Sequence, residues 1–225
     1  MAHRLIETAK QINKITMKDV NIVTNDVVVM GALVCTATAT ETVAPVIEHC
    51  SVSGSYTIEN KNYIATVKDS KDEFLYGAIV GSSVGVSIKE CVNNASFTIT
   101  QMLNPATEVA VRAMPGGIVG LVSAYTRTDK SKVYANLDGC INRGAILLYD
   151  TTQPEGAGKV AYWLGGIVGH VRAANVSGAY IANCVNDAPI TLQDLNTFAN
   201  QYTQVALADF TNWDTCKPAL VALIG

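Results

Sequence analysis

The sequence predicts an all-β protein, a right-handed parallel β-solenoid built from about four repeats of 41–49 residues. Three observations indicate this fold class. A five-residue glycine core recurs along the chain, a cysteine-centred segment follows each internal copy, and short β-branched runs stand between Gly, Ser, Thr and Asn. β-Branched residues favour strands, and units that recur every 20–50 residues or so are typical of stacked arrays.

Composition supports a folded β-rich chain. The 225 residues are 49% apolar and 16% charged, with a net charge of −3. We interpret residues 1–225 as one domain, long enough to bury a core. This balance argues against disorder and against a nucleic-acid partner. No segment reaches the roughly 18 consecutive apolar residues of a membrane span, so none is expected.

The glycine core reads GALVC, GAIVG, GGIVG and GGIVG, and a fifth copy, VALIG, ends at Gly225. We expect these cores to stack as one strand row, with the isoleucines pointing inward and the following valines outward. Glycine suits a corner that needs positive φ or close backbone approach. The predicted core residues are Gly31, Gly77, Gly116, Gly117, Gly120, Gly165, Gly166, Gly169, Ile79, Ile118 and Ile167.

The segment that follows each core reads IEHCSVSGSYTI, IKECVNNASFTI, LDGCINRGAILL and IANCVNDAPITL. Cysteine is a small hydrophobe that fits an interior position, and stacked asparagines can hydrogen-bond along an array. We place Ser53 at the asparagine position of the first copy. The predicted interior ladder contains Cys50, Cys91, Cys140, Cys184, Asn93, Asn142 and Asn186.

The cysteine spacing bears on disulfides. A solenoid coil commonly uses about 20–29 residues, so one repeat is expected to form two coils. Equivalent cysteines would then lie about 9–10 Å apart, beyond the roughly 7 Å limit for bridging. We therefore expect the ladder cysteines to be buried free thiols. The roles of Cys35 and Cys216 stay open.

A β-propeller is the alternative fold, because a period of 40–50 residues or so also fits one blade. Residues 1–14 are a candidate N-terminal cap with a short helix over 4–11, and residues 194–217 are a candidate C-terminal cap or insertion. Solenoids need such caps because a bare end offers unpaired backbone groups.

Core and following segment together resemble the GLUG-type repeats of bacterial surface proteins, common in gut Bacteroidetes. In those repeats a G-G-[IL]-V-G core precedes I-x-x-C-x-N-x-G-x-I, and the resemblance covers residues 15–190 and the terminal VALIG. Cys35 departs from it at the last glycine of a core. The resemblance implies a β-solenoid of adhesins or large secreted proteins, and it carries no catalytic residues.

The sequence offers no catalytic constellation, so an enzyme, a cofactor and a metal are not expected. His170 lies in GHVR, which faintly resembles an element of pectin-cleaving β-helices. Those enzymes need paired aspartates, and none accompany it here, so a surface histidine at a corner is the interpretation.

We hypothesise a non-catalytic structural or adhesive module, a stalk, adhesin or assembly subunit. Its partners would be other proteins or further copies, bound through the solenoid ends. The alternative is a carbohydrate-binding or carbohydrate-cleaving β-helix, although Tyr162, Trp163 and Trp213 are thinly spread and do not mark an aromatic sugar platform. Without a signal peptide in the chain, a mature or excised fragment at the cell surface or outside the cell is expected; a virion or intracellular assembly is the alternative.

Overall fold

The computed structural model describes residues 10–25, 27–60, 71–101, 110–150, 159–172 and 180–194, and the regular structure in these ranges is all β-strand. The all-β prediction is confirmed. Most of the helix predicted over 4–11 lies outside the described residues, and Gln11 begins a strand. The fifth glycine core and all of the candidate cap 194–217 except Asp194 also lie outside them.

Four parallel sheets contain most of the described strands. Sheet A contains, in spatial order, β1 (Gln11–Asn13), β5 (Val46–Glu48), β9 (Ser87–Lys89), β15 (Leu137–Asp138) and β20 (Ile181–Ala182). Sheet B contains β2 (Thr16–Asn25), β6 (Ser51–Asn60), β10 (Val92–Gln101), β16 (Ile141–Asn142) and β21 (Val185–Asn186), extended by β17 (Ile146–Asp150) and β22 (Ile190–Asp194).

The other two sheets carry the glycine cores. Sheet C contains β3 (Val29–Gly31), β7 (Lys71–Gly77), β11 (Ala110–Gly116) and β18 (Lys159–Tyr162). Sheet D contains β4 (Val34–Thr38), β8 (Val80–Val84), β12 (Val119–Ser123) and β19 (Val168–Val171). A separate antiparallel pair joins β13 (Tyr125–Thr126) to β14 (Lys132–Val133).

The chain passes through sheets A, B, C and D in that order and then starts again. Each pass is called a coil here: coil 1 is residues 11–38, coil 2 is 46–84, coil 3 is 87–123, coil 4 is 137–171, and coil 5 begins with 181–194. Neighbouring strands in a sheet always belong to adjacent coils. The expectation of two coils per repeat is therefore wrong, because one repeat supplies strands to four sheets and completes a single coil.

Parallel pairing decides the fold class. All ladders between coils are parallel, and among the described strands β13 and β14 form the antiparallel pair. Propeller blades are antiparallel sheets, so the alternative of a β-propeller does not fit. The described strands belong to the β-helix or solenoid class.

The interior is built by stacking like residues in register. Along β10, burial alternates, so Asn93, Ala95, Phe97 and Ile99 face inward. Phe97 pairs in register with Tyr56 of β6, and the two rings stack with centroids 4.6 Å apart. Offset aromatic stacking adds to the free energy gained by burying each ring. One continuous core cluster extends through the described coils.

The glycine cores turn a corner instead of forming a single strand row. In coil 2, β7 ends at Gly77 and β8 begins at Val80, so Ile79 lies in the bend between sheets C and D. Strand alternation does not apply across a bend, and Ile79 and Val80 are both fully buried in the same core. The expected outward direction of the valines is thus wrong. The isoleucines do stack, since Ile79 N donates to Ile118 O at 3.1 Å.

A second corner, between sheets A and B, uses left-handed backbone in every coil. The residue just before the cysteine position has positive φ each time, at Lys14 (58°), His49 (53°), Glu90 (49°), Gly139 (64°) and Asn183 (55°). Glycine and asparagine adopt this conformation readily, whereas other side chains clash with the following carbonyl. Coils 1 to 3 therefore carry backbone strain that coils 4 and 5 avoid.

Glu90→Gly is expected to stabilise the protein by about 1 kcal/mol, since glycine removes the left-handed penalty. The variant loses an ion pair between Glu90 and His49, but both side chains are exposed and such pairs contribute little. Denaturant unfolding measures the change. Glu90→Ala is the control, because it loses the same ion pair and keeps the strain. A less stable Glu90→Gly than Glu90→Ala would contradict the prediction.

A hairpin formed by residues 125–133, here called the hairpin clasp, follows coil 3 and binds Glu41 in the segment between coils 1 and 2. Tyr125 Oη donates to Glu41 Oε1 at 3.0 Å, and Thr128 N and Oγ1 both donate to Glu41 Oε2 at 3.1 Å. The hairpin crosses Gly85, which follows the last strand of coil 2, and a Cβ there would lie 2.8 Å from Tyr125 Cβ. The hydrogen bond from Thr128 N, followed by those from the Tyr125 and Thr128 hydroxyls, lowers the pKa of Glu41.

Candidate functional site

The asparagines form a buried ladder from coil 3 to coil 5. Asn93 Nδ2 donates to Asn142 Oδ1 at 2.8 Å, and Asn142 Nδ2 donates to Asn186 Oδ1 at 2.7 Å. Asn93 and Asn142 are fully buried, while Asn186 is exposed at the far end of the described stack. The amides therefore join successive coils through hydrogen bonds in the protein interior.

Each asparagine also closes its own corner. Asn142 Oδ1 accepts from Gly144 N at 3.1 Å, and Asn142 Nδ2 donates to Gly144 O at 3.1 Å. Asn93 makes the same pair of bonds with Ala95, at 2.8 and 2.9 Å. Side chains that bond two residues ahead stabilise such turns, and here both hydrogens of each buried amide are used. These side chains are therefore fully committed to structure.

Ser53 is not part of this ladder. The register pairs Val52 with Asn93 and Ser53 with Asn94, so the buried position in coil 2 belongs to Val52. The assignment of Ser53 is wrong because the asparagine position lies two residues after the cysteine, whereas Ser53 lies three residues after Cys50. The ladder thus begins at Asn93, and a valine takes the asparagine position in the coil before it.

Two core glycines make room for the asparagine ladder. A Cβ at Gly117 would lie 2.4 Å from Asn142 Cγ and 2.0 Å from Gly166 O; at Gly166 it would lie 2.3 Å from Asn186 Cγ. Both glycines are buried, with no positive φ. Close approach, and not left-handed backbone, therefore requires glycine here. The second glycine of GGIVG and the asparagine of the next coil are one packing unit.

The remaining core glycines lie against backbone. A Cβ would approach the carbonyl oxygen three residues ahead to 2.2 Å at Gly31, 2.0 Å at Gly77 and 1.9 Å at Gly116. At Gly120 and Gly169 it would meet backbone atoms of sheet C at 2.6 Å. Gly165 pairs with Gly116 in a parallel bridge. These contacts place sheets C and D too close together for any side chain at these positions.

The ladder cysteines form a second interior row. Cys50, Cys91 and Cys140 are buried, Cys184 is half-buried, and all four are free thiols. Each Sγ donates to the carbonyl two residues earlier, at 3.2 Å for Cys50, 3.3 Å for Cys91, 3.7 Å for Cys140 and 3.3 Å for Cys184. Burial raises the pKa of the Cys50 thiol.

The predicted separation of about 9–10 Å between equivalent cysteines is wrong, because these cysteines belong to adjacent coils and not to alternate ones. Of the two cysteines outside the row, Cys35 is half-buried and free, and Cys216 lies outside the described residues.

A third cluster lies where sheets C and D meet, and the sequence did not reveal it. The His170 ring stacks on Trp163 with centroids 4.3 Å apart, and the Arg112 guanidinium carbon lies 5.2 Å from the Trp163 ring centroid. Glu73 forms ion pairs with Arg112, at 3.7 Å, and with Arg172. The cluster therefore links coils 2, 3 and 4.

The environment of His170 differs from a surface corner, so that interpretation is wrong. His170 lies in β19, partly buried against Trp163. Burial, followed by the positive charges of Arg172 and Arg112, lowers the pKa of His170 to about 4. The imidazole is thus neutral near pH 7, and the cation–π and ion-pair contacts around it are compatible with an uncharged ring.

The His170 shift predicts a loss of stability in acid. An unfolded histidine has a pKa of about 6.5, so between about pH 6.5 and 4 the unfolded chain binds a proton that the folded chain does not. The stability that depends on neutral His170 is fully present above about pH 6.5 and declines as the pH falls towards 4. Denaturant unfolding at pH 7 and pH 4.5 measures it. His170→Gln should lose less free energy of unfolding between pH 7 and pH 4.5 than the parent, because both proteins contain the same carboxylates and only the parent contains His170. Equal losses in the two proteins would contradict the prediction.

The described ranges contain neither a metal-binding cluster nor a membrane-spanning helix. There, no three His, Cys, Asp or Glu side chains are grouped to hold a metal ion. No helix of the described part is long and apolar enough to cross a membrane.

Comparison of the chain with family models, curated proteins and solved structures gave no match. The resemblance to GLUG-type repeats therefore rests on the residues of the repeat.

Proposed function

We propose that the chain is a non-catalytic structural or adhesive module, built as a right-handed parallel β-solenoid of the GLUG type. One observation carries this proposal. The asparagines of coils 3 to 5 hydrogen-bond along the stack, and the two buried ones, Asn93 and Asn142, each use one amide hydrogen to join coils and the other to close their own corner. Buried side chains that join coils cannot contact a ligand in solvent, so their role is to hold the stack together. This role favours a structural module to which other proteins attach.

The proposed right-handed sense is supported by the chain connectivity together with a general preference of parallel sheets. Each sheet receives a new parallel strand after the chain has passed through the other three sheets. Connections between parallel strands of one sheet are right-handed in nearly all proteins, because strand twist favours that sense. We propose the same hand for every coil.

The proposed setting is the cell surface or the extracellular space, with a stalk, adhesin or assembly subunit as the role. A virion or an intracellular assembly is the alternative setting. Partners, either other proteins or further copies, would bind at the ends of the stack. In coil 1, β2 is the first described strand of sheet B, and its Val23 is 68% exposed. Edge strands with exposed apolar residues readily pair with another chain.

Sedimentation equilibrium at rising concentration tests end-to-end association. The parent is expected to self-associate, and Val23→Lys should weaken association because charge on an edge strand opposes pairing. Thr57→Lys is the matched control, since Thr57 pairs in register with Val23 but lies one coil inside the sheet. A parent that stays monomeric at all concentrations, or equal effects of both variants, would contradict association through coil 1.

The carbohydrate-binding or carbohydrate-cleaving alternative has one supporting feature, the cluster around Trp163. Its ring is already engaged by His170 and Arg112, and both arginines of the described cluster are paired to Glu73. A sugar would need a free aromatic face, and a glycosidase would need a second carboxylate nearby. A glycan-binding or glycan-cleaving activity lost in a folded His170→Ala variant would favour this alternative over ours.

A further inference from the structure

Cys140 and Cys184 occupy equivalent positions in adjacent coils. The register pairs Leu137 with Ile181 before them and Ile141 with Val185 after them. Neighbouring strands lie about 4.8 Å apart, and disulfides span Cα separations of about 4.4–6.8 Å. One coil per repeat therefore brings the two thiols within bridging range without a change in register.

The two thiols differ in exposure and acidity. Cys140 is fully buried, whereas Cys184 is half-buried at the outer end of the row. The neighbouring Cys140 thiol is the largest cause that lowers the pKa of Cys184 to about 7, and the Cys184 thiol in turn raises the pKa of Cys140. The thiolate is the nucleophile in thiol–disulfide exchange, and a thiol with a pKa near the ambient pH reacts best. Cys184 is thus suited to attack and Cys140 to resolve.

We propose that Cys184 and Cys140 are a redox pair that closes into a disulfide between coils 4 and 5 when a low-molecular-weight disulfide is present. The Cys184 thiolate attacks one sulfur of that disulfide, forming a mixed disulfide and releasing one thiolate. Cys140 then gives its proton to solvent base and attacks the Cys184 sulfur, which expels the second thiolate. Both released thiolates take up protons, so two protein thiols are oxidised and one small disulfide is reduced.

The rest of the row is protected from the first step. Burial is what protects them: Cys50 and Cys91 are both fully buried, although the neighbouring Cys140 thiol lowers the pKa of Cys91. A reagent in solvent meets Cys184 before the other ladder thiols. We therefore expect a disulfide between Cys140 and Cys184 and none between Cys140 and Cys91, its neighbour in the preceding coil.

Oxidised glutathione tests the pair in the full chain carrying Cys35→Ser and Cys216→Ser. After incubation at pH 7.5, intact mass should fall by two hydrogens, and proteolysis without reductant should yield one peptide pair linking Cys140 to Cys184. Cys140→Ser should stop at a single bound glutathione, Cys184→Ser should stay unmodified, and Cys50→Ser should behave as the parent.

Three results would overturn the proposal. They are a parent that keeps glutathione on Cys184, a linkage of Cys140 to Cys91, and a parent whose thiols stay unmodified. Circular dichroism before oxidation verifies that each variant is folded, so that loss of structure is not mistaken for loss of reactivity.

Discussion

Asn142→Ala is expected to destabilise the protein by about 3–5 kcal/mol, one of the two largest effects of any single substitution proposed here. The amide of Asn142 accepts from Asn93 and Gly144 and donates to Gly144 and Asn186. Its removal leaves buried donors and acceptors in coils 3 and 4 without partners. Each such group costs about 1–3 kcal/mol when water cannot replace the lost bond.

Asn186→Ala is the matched control for the ladder. Asn186 occupies the same position one coil later, but it is exposed, so water can satisfy the groups that lose a partner. Its loss should cost about 1 kcal/mol. Denaturant unfolding of both variants gives the comparison, and equal losses in free energy of unfolding would show that the buried ladder adds no stability of its own.

Gly117→Ala is expected to cost about 4 kcal/mol or more, or to prevent folding. The new methyl group would lie 2.0 Å from Gly166 O and 2.4 Å from Asn142 Cγ. Backbone on one side and a fully hydrogen-bonded amide on the other leave no direction in which the contact can relax. Coils 3 and 4 would have to separate, which would break the asparagine ladder as well.

Gly139→Ala separates this close approach from the general effect of replacing glycine. Gly139 has a φ of 64°, and the nearest atom to a Cβ there is the flexible Glu90 Cγ at 3.2 Å. The left-handed penalty alone should cost about 1–2 kcal/mol. Thermal and denaturant unfolding measure both variants. A Gly117→Ala protein as stable as Gly139→Ala would contradict the packing of Gly117 against Asn142.

Composition and repeat spacing were enough to predict strands, stacking and five of the seven interior ladder positions; Asn186 is exposed and Cys184 is half-buried. They could not predict the length of a coil, because the number of sheets that a repeat visits depends on where the backbone bends. Gly77 and Val80 lie on two sheets, yet the five letters GAIVG look like one strand. A repeat alignment also tolerates a shift of one residue, and Ser53 was misplaced for that reason.

The cluster around Trp163 could not be predicted for a related reason. Glu73, Arg112 and Arg172 come from three coils, and Glu73 meets Arg112 because β7 and β11 pair in register at that point. Register follows from the whole coil and not from any local motif. The left-handed corner was missed for a local reason. Positive φ is expected at glycine or asparagine, but in coils 1 to 3 the residue before the cysteine position is Lys14, His49 or Glu90.

The hairpin clasp affects the order in which a growing chain can fold. Each strand pairs with a partner made one coil earlier, and a ribosome adding roughly 5–20 residues per second supplies a coil in about 2–10 s. Earlier coils can therefore serve as templates for later ones during synthesis. Glu41, however, waits for Thr128, which is made 87 residues later. Glu41 therefore gains these hydrogen bonds only after coil 3 has been made, whereas the strands of coil 1 can pair with coil 2 before then.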